Sequence, residues 1–239
     1  RTEGEKIMNA YKKFGYYYDE VMSKLNYDLW LEFIEQYLHK GDTVLDLACG
    51  TATLCTMLKL KGYEAEGLDL SESILEIARE KMKINHLSFP LYHADMTNFR
   101  LNKKYNMITC FFDSVNFLKD IHEVERLFDC ACSHLKENGY FIIDVFSKQM
   151  MKEYEHNDIQ EDYETFVLEW KTKKISPAAL KHTIVIREGE DKFTESYYEY
   201  YYDISKLPHK KFKLIQISGD FNDDLQPEDE RILLVYQKL

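Results

Sequence analysis

Long apolar runs are missing from this 239-residue chain. Stretches such as Ile232–Tyr236 are strand-sized, far short of the roughly 20 residues that cross a bilayer, so no membrane span is expected. Arg1–Lys6 is charged and leads into an amphipathic segment without the apolar core or small-residue cleavage site of a signal peptide, which points to the cytoplasm. Cysteine is scarce and unpaired in pattern: Cys49, Cys55, Cys110, Cys130 and Cys132 are odd in number and contain no Cys-x-x-Cys. That suits reduced thiols better than a disulfide framework. No His-Glu-x-x-His and no Cys/His cluster at zinc spacing occurs among the eight histidines, so no protein-bound metal is expected. Positive charge is also short, 31 Lys and Arg against 42 Asp and Glu, for a net −11 that repels a polyanion. The short basic clusters Lys171–Lys174 and Lys210–Lys213 read as solvated strand edge or loop, and no nucleic-acid partner is expected.

What is present is an α/β pattern with enough chain for one large domain. From Asp42 to Phe146, short apolar or β-branched runs alternate with amphipathic stretches, as in parallel strands joined by crossover helices. The pattern predicts strands at Thr43–Leu47, Glu64–Leu68, Phe89–His93, Tyr105–Phe111 and Gly139–Val145, with helices near Thr53–Leu60, Glu72–Met82 and Ile121–Leu135. Ile121, Val124, Phe128, Ala131 and Leu135 form one apolar stripe on the last helix. Ser71 or Ser73 can cap the second, and Ser73 with Glu76 has capping-box spacing. Glu5–Phe14 and Tyr27–Leu38 read as further helices lying over the sheet. Beyond residue 160 the period drops to two, through Phe166–Trp170, Thr183–Arg187 and Phe193–Tyr202, predicting a small antiparallel sheet near Tyr163–Tyr202. Phe212–Ser218 and Ile232–Gln237 supply a closing antiparallel hairpin.

Three of the parallel strands end in or near an acid. Val44-Leu-Asp-Leu-Ala-Cys-Gly-Thr-Ala52 runs from a strand carrying Asp46 through small residues into a helix, a turn that lets a ligand approach backbone N–H groups. Nineteen residues after Gly50, Gly67-Leu-Asp-Leu-Ser71 puts Asp69 where a nucleotide-binding unit accepts from ribose hydroxyls, and Asp95 follows in His93-Ala-Asp-Met-Thr97.

These motifs, with Tyr105–Asp113 and Leu135–Asp144, resemble those of the class I S-adenosylmethionine-dependent methyltransferases from about Tyr11 to Phe146. Phe14–Asp19 followed by Tyr27 and Trp30, and Asp113–Leu118, are most similar to small-molecule members that include amino-sugar N-methyltransferases. The resemblance implies a Rossmann-like seven-stranded α/β sheet with an N-terminal helical cover and a small antiparallel β insertion. Residues 1–150 would form the cofactor-binding core and its helical lid, 151–203 the acceptor-side insertion and 204–239 the closing strands. It further implies S-adenosylmethionine as cofactor, with Ala48 and Gly50 approaching its methionyl end and Asp46 meeting its amino group. Asp69 would hold the ribose, Leu70 pack on adenine, and Asp95 and the Met96 N–H read the adenine edge, while Phe111 and Tyr18 flank the methionyl part. The family's usual glycine is replaced by Ala52.

The resemblance also limits the chemistry. Cys110-Phe-Phe-Asp113 replaces the Asn-Pro-Pro signature for planar nucleobase amines, and Asp144-Val145 replaces the Asp-Asn of magnesium-dependent catechol methylation. Gly50-Thr-Ala-Thr53 does not complete the Gly-x-Gly-x-x-Gly of a dinucleotide oxidoreductase. The expected activity is methyl transfer to a small molecule, neutral or cationic rather than anionic given the net charge; a non-catalytic cofactor-binding sensor or scaffold is the alternative. Tyr16, Tyr17 and Asp113 are candidate acceptor contacts, and these three with His122 are conceivable bases. The acceptor is expected to enter between Tyr16–Tyr18 and the Tyr163–Tyr202 sheet. Asp203–Lys211, with Pro208, is short for the helix that usually precedes the sixth strand of this family.

Overall fold

The computed structural model describes residues 14–155 and 158–239. Five parallel strands form the centre of a seven-stranded sheet: β1 (Thr43–Leu47), β2 (Glu64–Asp69), β3 (Leu91–His93), β4 (Tyr105–Cys110) and β5 (Leu135–Phe146). With β10 (Phe212–Gly219) and β11 (Arg231–Lys238) the order is β10-β11-β5-β4-β1-β2-β3, with β11 antiparallel to both of its neighbours, β10 and β5. Alternation along the strands sends side chains to both faces: Leu45 and Leu47 of β1 enter one core layer and Val44 the other. On the first face lies α5 (Ile121–His134), whose Val124, Leu127, Phe128 and Ala131 are buried. The Phe128 ring meets Phe212 and Tyr236 edge-on at 5.8 and 5.1 Å, tying the closing hairpin to the same layer. On the second face lie α2 (Asp28–Glu35), α3 (Thr53–Leu60) and α4 (Glu72–Ile84), contributing Trp30, Ile34, Leu54, Leu58 and Ala78.

A separate four-stranded meander follows α6 (Lys148–Tyr154), built from β6 (Ile159–Asp162), β7 (Val167–Ser176), β8 (Ala179–Glu188) and β9 (Asp191–Tyr200). Its inner face carries Leu168, Ile184, Ile186 and Tyr197 and packs on Phe14, Tyr17 and Tyr18 of helix α1 (Phe14–Val21) and on Phe117 of the turn after β4. Asn116 Nδ2 donates to the Tyr200 carbonyl at 2.8 Å, so β9 is fixed over the carboxyl edge of the large sheet. Helix α1 seats on α4 at Gly15, where a Cβ would lie 3.0 Å from Ile74 Cγ1.

Most predicted elements recur, with instructive differences. The capping box does not form: Ser71 holds the N-cap position of α4 without a side-chain bond, and Ser73 falls in the first turn, 3.0 Å from Ser71 Oγ. The third strand starts at Leu91, since Pro90 lacks the N–H that would extend it inward. Leu135, assigned to the helical stripe, is the first residue of β5 yet still enters the predicted core layer. Asp203–Lys211 holds only a 3-10 turn, Ile204–Lys206. Of the predicted helix Glu5–Phe14, all but Phe14 lies outside the described residues.

Candidate active site

The turn after β1 is wound against residue preference. Ala48, Gly50 and Ala52 have φ of 55°, 56° and 60°, left-handed values that cost a non-glycine residue about 1–2 kcal/mol each. What holds the turn is Asp69 at the end of β2: its Oδ2 accepts the Gly50 N–H at 2.9 Å and its Oδ1 the Ser71 N–H at 2.8 Å. A carboxylate has about four acceptor positions, and with the Leu70 N–H also bonded to it about one remains for a ligand's hydroxyl. A side chain built at Gly50 would meet nothing within 4 Å, so the turn faces open space. Beneath it Asp46 is 5% exposed, accepting from the Thr109 hydroxyl at 2.7 Å. Burial pushes its carboxyl up to about 7; the Thr109 bond opposes this and the nearby Asp69 and Asp144 reinforce it. Burial also raises Asp69 against the lowering effect of its backbone hydrogen bonds.

Helix α1 covers this turn through one face only. Thr51 Oγ1 donates to Asp19 Oδ1 at 2.5 Å, and Lys81 Nζ reaches Asp19, Thr51 and Thr53 at 2.7, 3.1 and 3.0 Å. Tyr18 hydrogen-bonds Tyr27, which bonds Thr53 in turn. Burial, with Tyr27, Asp69, Asp19 and Asp113 nearby, raises the Tyr18 phenol well above its ordinary value. Successive helical residues are 100° apart, so its neighbours point elsewhere. Tyr16 is 65% exposed, and Tyr17 donates to Glu188 Oε2 at 2.6 Å while packing on Phe166 at 4.5 Å. Tyr16 is thus an exposed position, and Tyr17 a latch between α1 and the meander.

The β4 end repeats the pattern of strain held by a carboxylate. Phe112 and Asp113 have φ of 57° and 59°, and Asp144 of β5 accepts both N–H groups, at 3.1 and 2.9 Å. Trp30 Nε1 donates to the same Asp144 at 2.7 Å. Arg231 bridges Asp113 (2.6 and 3.3 Å) and Asp144 (2.9 Å), with its guanidinium 5.2 Å from the Trp30 ring centre. Burial raises Asp113 above the usual carboxylate range despite Arg231, helped by Asp144 and Glu199.

The other expected residues divide by where their side chains go. Phe111 is 1% exposed and belongs to the core layer that holds Trp30, Leu54 and Met107. Phe112 instead stacks with Tyr27 and Trp30 at 4.7 and 4.4 Å. Leu70 and Met96 are half-buried beside Asp69 and Asp95. Asp95 is exposed, and its Oδ1 takes the Thr97 N–H and hydroxyl at 2.7 and 2.8 Å. His122, exposed at the start of α5, pairs with Glu125 at 3.2 Å.

Sequence reasoning passed over Arg231, Tyr154, His182 and Glu199. Arg231 opens an apolar strand after an acidic loop, and Glu199 interrupts a tyrosine run at an inward register; each was a polar residue at a position patterned for burial. Among the described residues no group of His, Cys, Asp or Glu is arranged to hold a metal ion, and no helix is long and apolar enough to cross a membrane.

Residues 38–199 match the family described as a methyltransferase domain. A methyltransferase relative from Geobacillus sp. (strain WCH70) is 30% identical, over 96% of this chain and the whole of that protein. A crystal structure of an S-adenosylmethionine-dependent methyltransferase from Clostridium acetobutylicum ATCC 824 superposes with a TM-score of 0.83 at 27% identity, covering 95% of this chain and 98% of that one. A shorter match, 30% identical over 44% of this chain and 43% of the relative, is to a dTDP-3-amino-3,4,6-trideoxy-alpha-D-glucopyranose N,N-dimethyltransferase of Streptomyces venezuelae.

Proposed function

Because this chain belongs to the class I S-adenosylmethionine-dependent methyltransferases, we propose that it methylates a small-molecule acceptor held between the carboxyl edge of the large sheet and the inserted meander. The supporting observation is the convergence of segments on the carboxyl edge of the large sheet: helix α1 clasps the β1 turn through Asp19, and Asn116 Nδ2 donating to the Tyr200 carbonyl at 2.8 Å holds β9 at the same edge. A few convergent polar groups among aromatic side chains suit a small molecule. The sugar N-methyltransferase relative lends this class further support.

The residues fit the cofactor. Asp46, buried without a cationic partner, would take the methionyl ammonium; Asp69 would use its remaining acceptor position on a ribose hydroxyl, and Asp95 Oδ2 would accept from the adenine amine. Ala48 and Gly50 allow close backbone approach. When bound, the cofactor supplies a methyl group on a sulfonium sulfur. The chain's own task is to orient the acceptor and exclude water, which α1 does through its Asp19–Thr51–Lys81 clasp.

The test is release of S-adenosylhomocysteine from purified protein across a panel of small amines, amino sugars and hydroxylated aromatics, with protein and RNA acceptors as controls. Turnover only on a macromolecule would overturn the small-molecule reading. Asp69→Ala should weaken S-adenosylhomocysteine binding by about 1.5–3 kcal/mol, the range for a hydrogen bond to a charged group. Unchanged affinity by calorimetry would remove Asp69 from the ribose site.

A further inference from the structure

The short edge strand β3 ends at His93, whose ladder partner on β2 is Asp69. Backbone pairing continues one step further, with the Ala94 N–H donating to the Asp69 carbonyl at 3.0 Å. The following carbonyl, that of Leu70, meets a side chain instead: His93 Nε2 lies 3.0 Å from it. A carbonyl oxygen can only accept, so Nε2 carries the proton of this bond. The other ring nitrogen, Nδ1, lies 3.5 Å from Glu72 Oε2, while Glu72 Oε1 takes Arg79 Nη1 at 2.7 Å. One imidazole thus spans Leu70 and Glu72, the two neighbours of Ser71 at the N-cap of α4.

The consequence falls on the peptide group between Leu70 and Ser71. Its N–H is taken by Asp69 Oδ1 at 2.8 Å and its carbonyl by His93, so its plane is held at both poles. Without the imidazole the plane would be held from the N–H side alone. Asp69 also accepts the Gly50 N–H at 2.9 Å, and the direction of its open acceptor position follows from where the Ser71 N–H holds Oδ1. The Leu70 side chain leaves the backbone at the same peptide. The fold makes no demand for an imidazole here: the His93 side chain is 47% exposed, so water could serve the Leu70 carbonyl in its place.

We propose that His93 is a positioning residue for the adenosine half of the cofactor. This rests on the cofactor reading above, in which Asp69 meets the ribose and Leu70 packs on adenine. His93 acts through its neighbours: by fixing the Leu70–Ser71 peptide it holds the open position of Asp69 and the Leu70 side chain ready, so that binding does not have to order them. Preorganisation of this kind is read as affinity. Its effect belongs to any ligand that carries adenosine, whatever stands at the methionyl end, and leaves the acceptor side untouched.

The test is calorimetry of wild type, H93L and H93Q with S-adenosylhomocysteine and with 5′-methylthioadenosine, which keeps the adenosine and the sulfur but lacks the amino-acid end. H93L removes the donor and should weaken both ligands by the same factor, roughly tenfold. H93Q, whose amide keeps an N–H for the Leu70 carbonyl, should stay within about threefold of wild type for both. Unchanged affinities in H93L, even with a lower Tm, would make the bond purely structural and overturn the proposal. A loss confined to S-adenosylhomocysteine, or H93Q as weak as H93L, would overturn it as well, the first by placing the effect at the methionyl end and the second by assigning it to the ring rather than the donor. Should H93L not fold, wild-type protein labelled with 15N-histidine decides: the His93 Nε2 resonance should stay protonated and shift saturably with 5′-methylthioadenosine, and an unmoved resonance overturns the proposal. Wild-type protein that binds neither ligand would count against the cofactor reading instead, which keeps the two failures distinct.

Discussion

At the scale of single residues, the site is a set of carboxylates kept in unfavourable surroundings until a ligand arrives. Asp46 is the clearest, with its carboxyl pushed up to about 7 by burial. To pair with an ammonium it must first lose its proton. S-adenosylhomocysteine affinity should therefore fall as pH drops below about 7, by up to about tenfold per pH unit, and Asp46→Asn should bind more weakly at pH 8 with that slope abolished. Calorimetry between pH 5.5 and 8.5 checks this, and a slope retained in Asp46→Asn would assign it elsewhere. The unliganded protein carries the opposite signature. A raised folded value means that stability from Asp46 is full below its ordinary value of about 3.9 and is lost as pH rises through about 7. Strain is distributed in the same way. Ala48 sits at φ 55° on the β1 turn, so Ala48→Gly relieves left-handed strain and should raise Tm by about 2–4 °C, equivalent to about 1 kcal/mol in a chain of this size. An unchanged or lower Tm in a thermal melt would mean that the alanine methyl contributes more than the strain costs.

At the scale of elements, local chemistry decided what was readable. The β1 and β4 strands and the stripe on α5 were legible because each combines a clean period with a clear stop. Asp120 starts α5 as N-cap, accepting the Glu123 N–H at 3.0 Å, while Glu123 accepts the Lys119 N–H at 2.9 Å. Asp120→Ala should cost about 1 kcal/mol and lower Tm by about 2–4 °C; a loss within error in a urea titration would show the helix held by Val124, Leu127 and Phe128 alone. The α4 start at Glu72, with Ser71 at the N-cap position, was legible, whereas the Ser73–Glu76 capping box does not form because Ser73 already lies inside the helix. Asp46, Asp69 and Asp95, the acids proposed for the cofactor, stand out in the sequence because each ends or follows a strand. The left-handed kink at Phe112 and Asp113 is a feature that no sequence period reveals. His182 and Glu199 were missed because their juxtaposition comes from the β8–β9 register, where His182 pairs with Tyr197 and Leu180 with Glu199.

At the scale of the whole molecule, Arg231 joins parts far apart in sequence: the closing strand β11, the kinked turn at Asp113, the central strand at Asp144 and the covering helix at Trp30. Its side chain is 12% exposed against 10% and 0% for the two carboxylates, so solvent screens the network little. Removing one member of a buried ionic cluster costs more than the cluster gains over an apolar replacement, because unpaired charges are left behind. Arg231→Met should therefore destabilise the protein by about 3–5 kcal/mol near pH 8, where Asp113 and Asp144 are left buried without their cation. The pH dependence identifies the cause. Without the guanidinium the burial that raises the Asp113 carboxyl loses its main opposing effect, and a raised folded value gives stability that is complete below about pH 3.9 and lost as pH rises. The deficit of Arg231→Met relative to wild type should thus shrink steadily from pH 8 toward pH 5 in urea denaturation. A deficit that is the same at both ends of that range would mean that Arg231 acts by packing on Trp30 rather than by neutralising the carboxylates that hold the β4 turn.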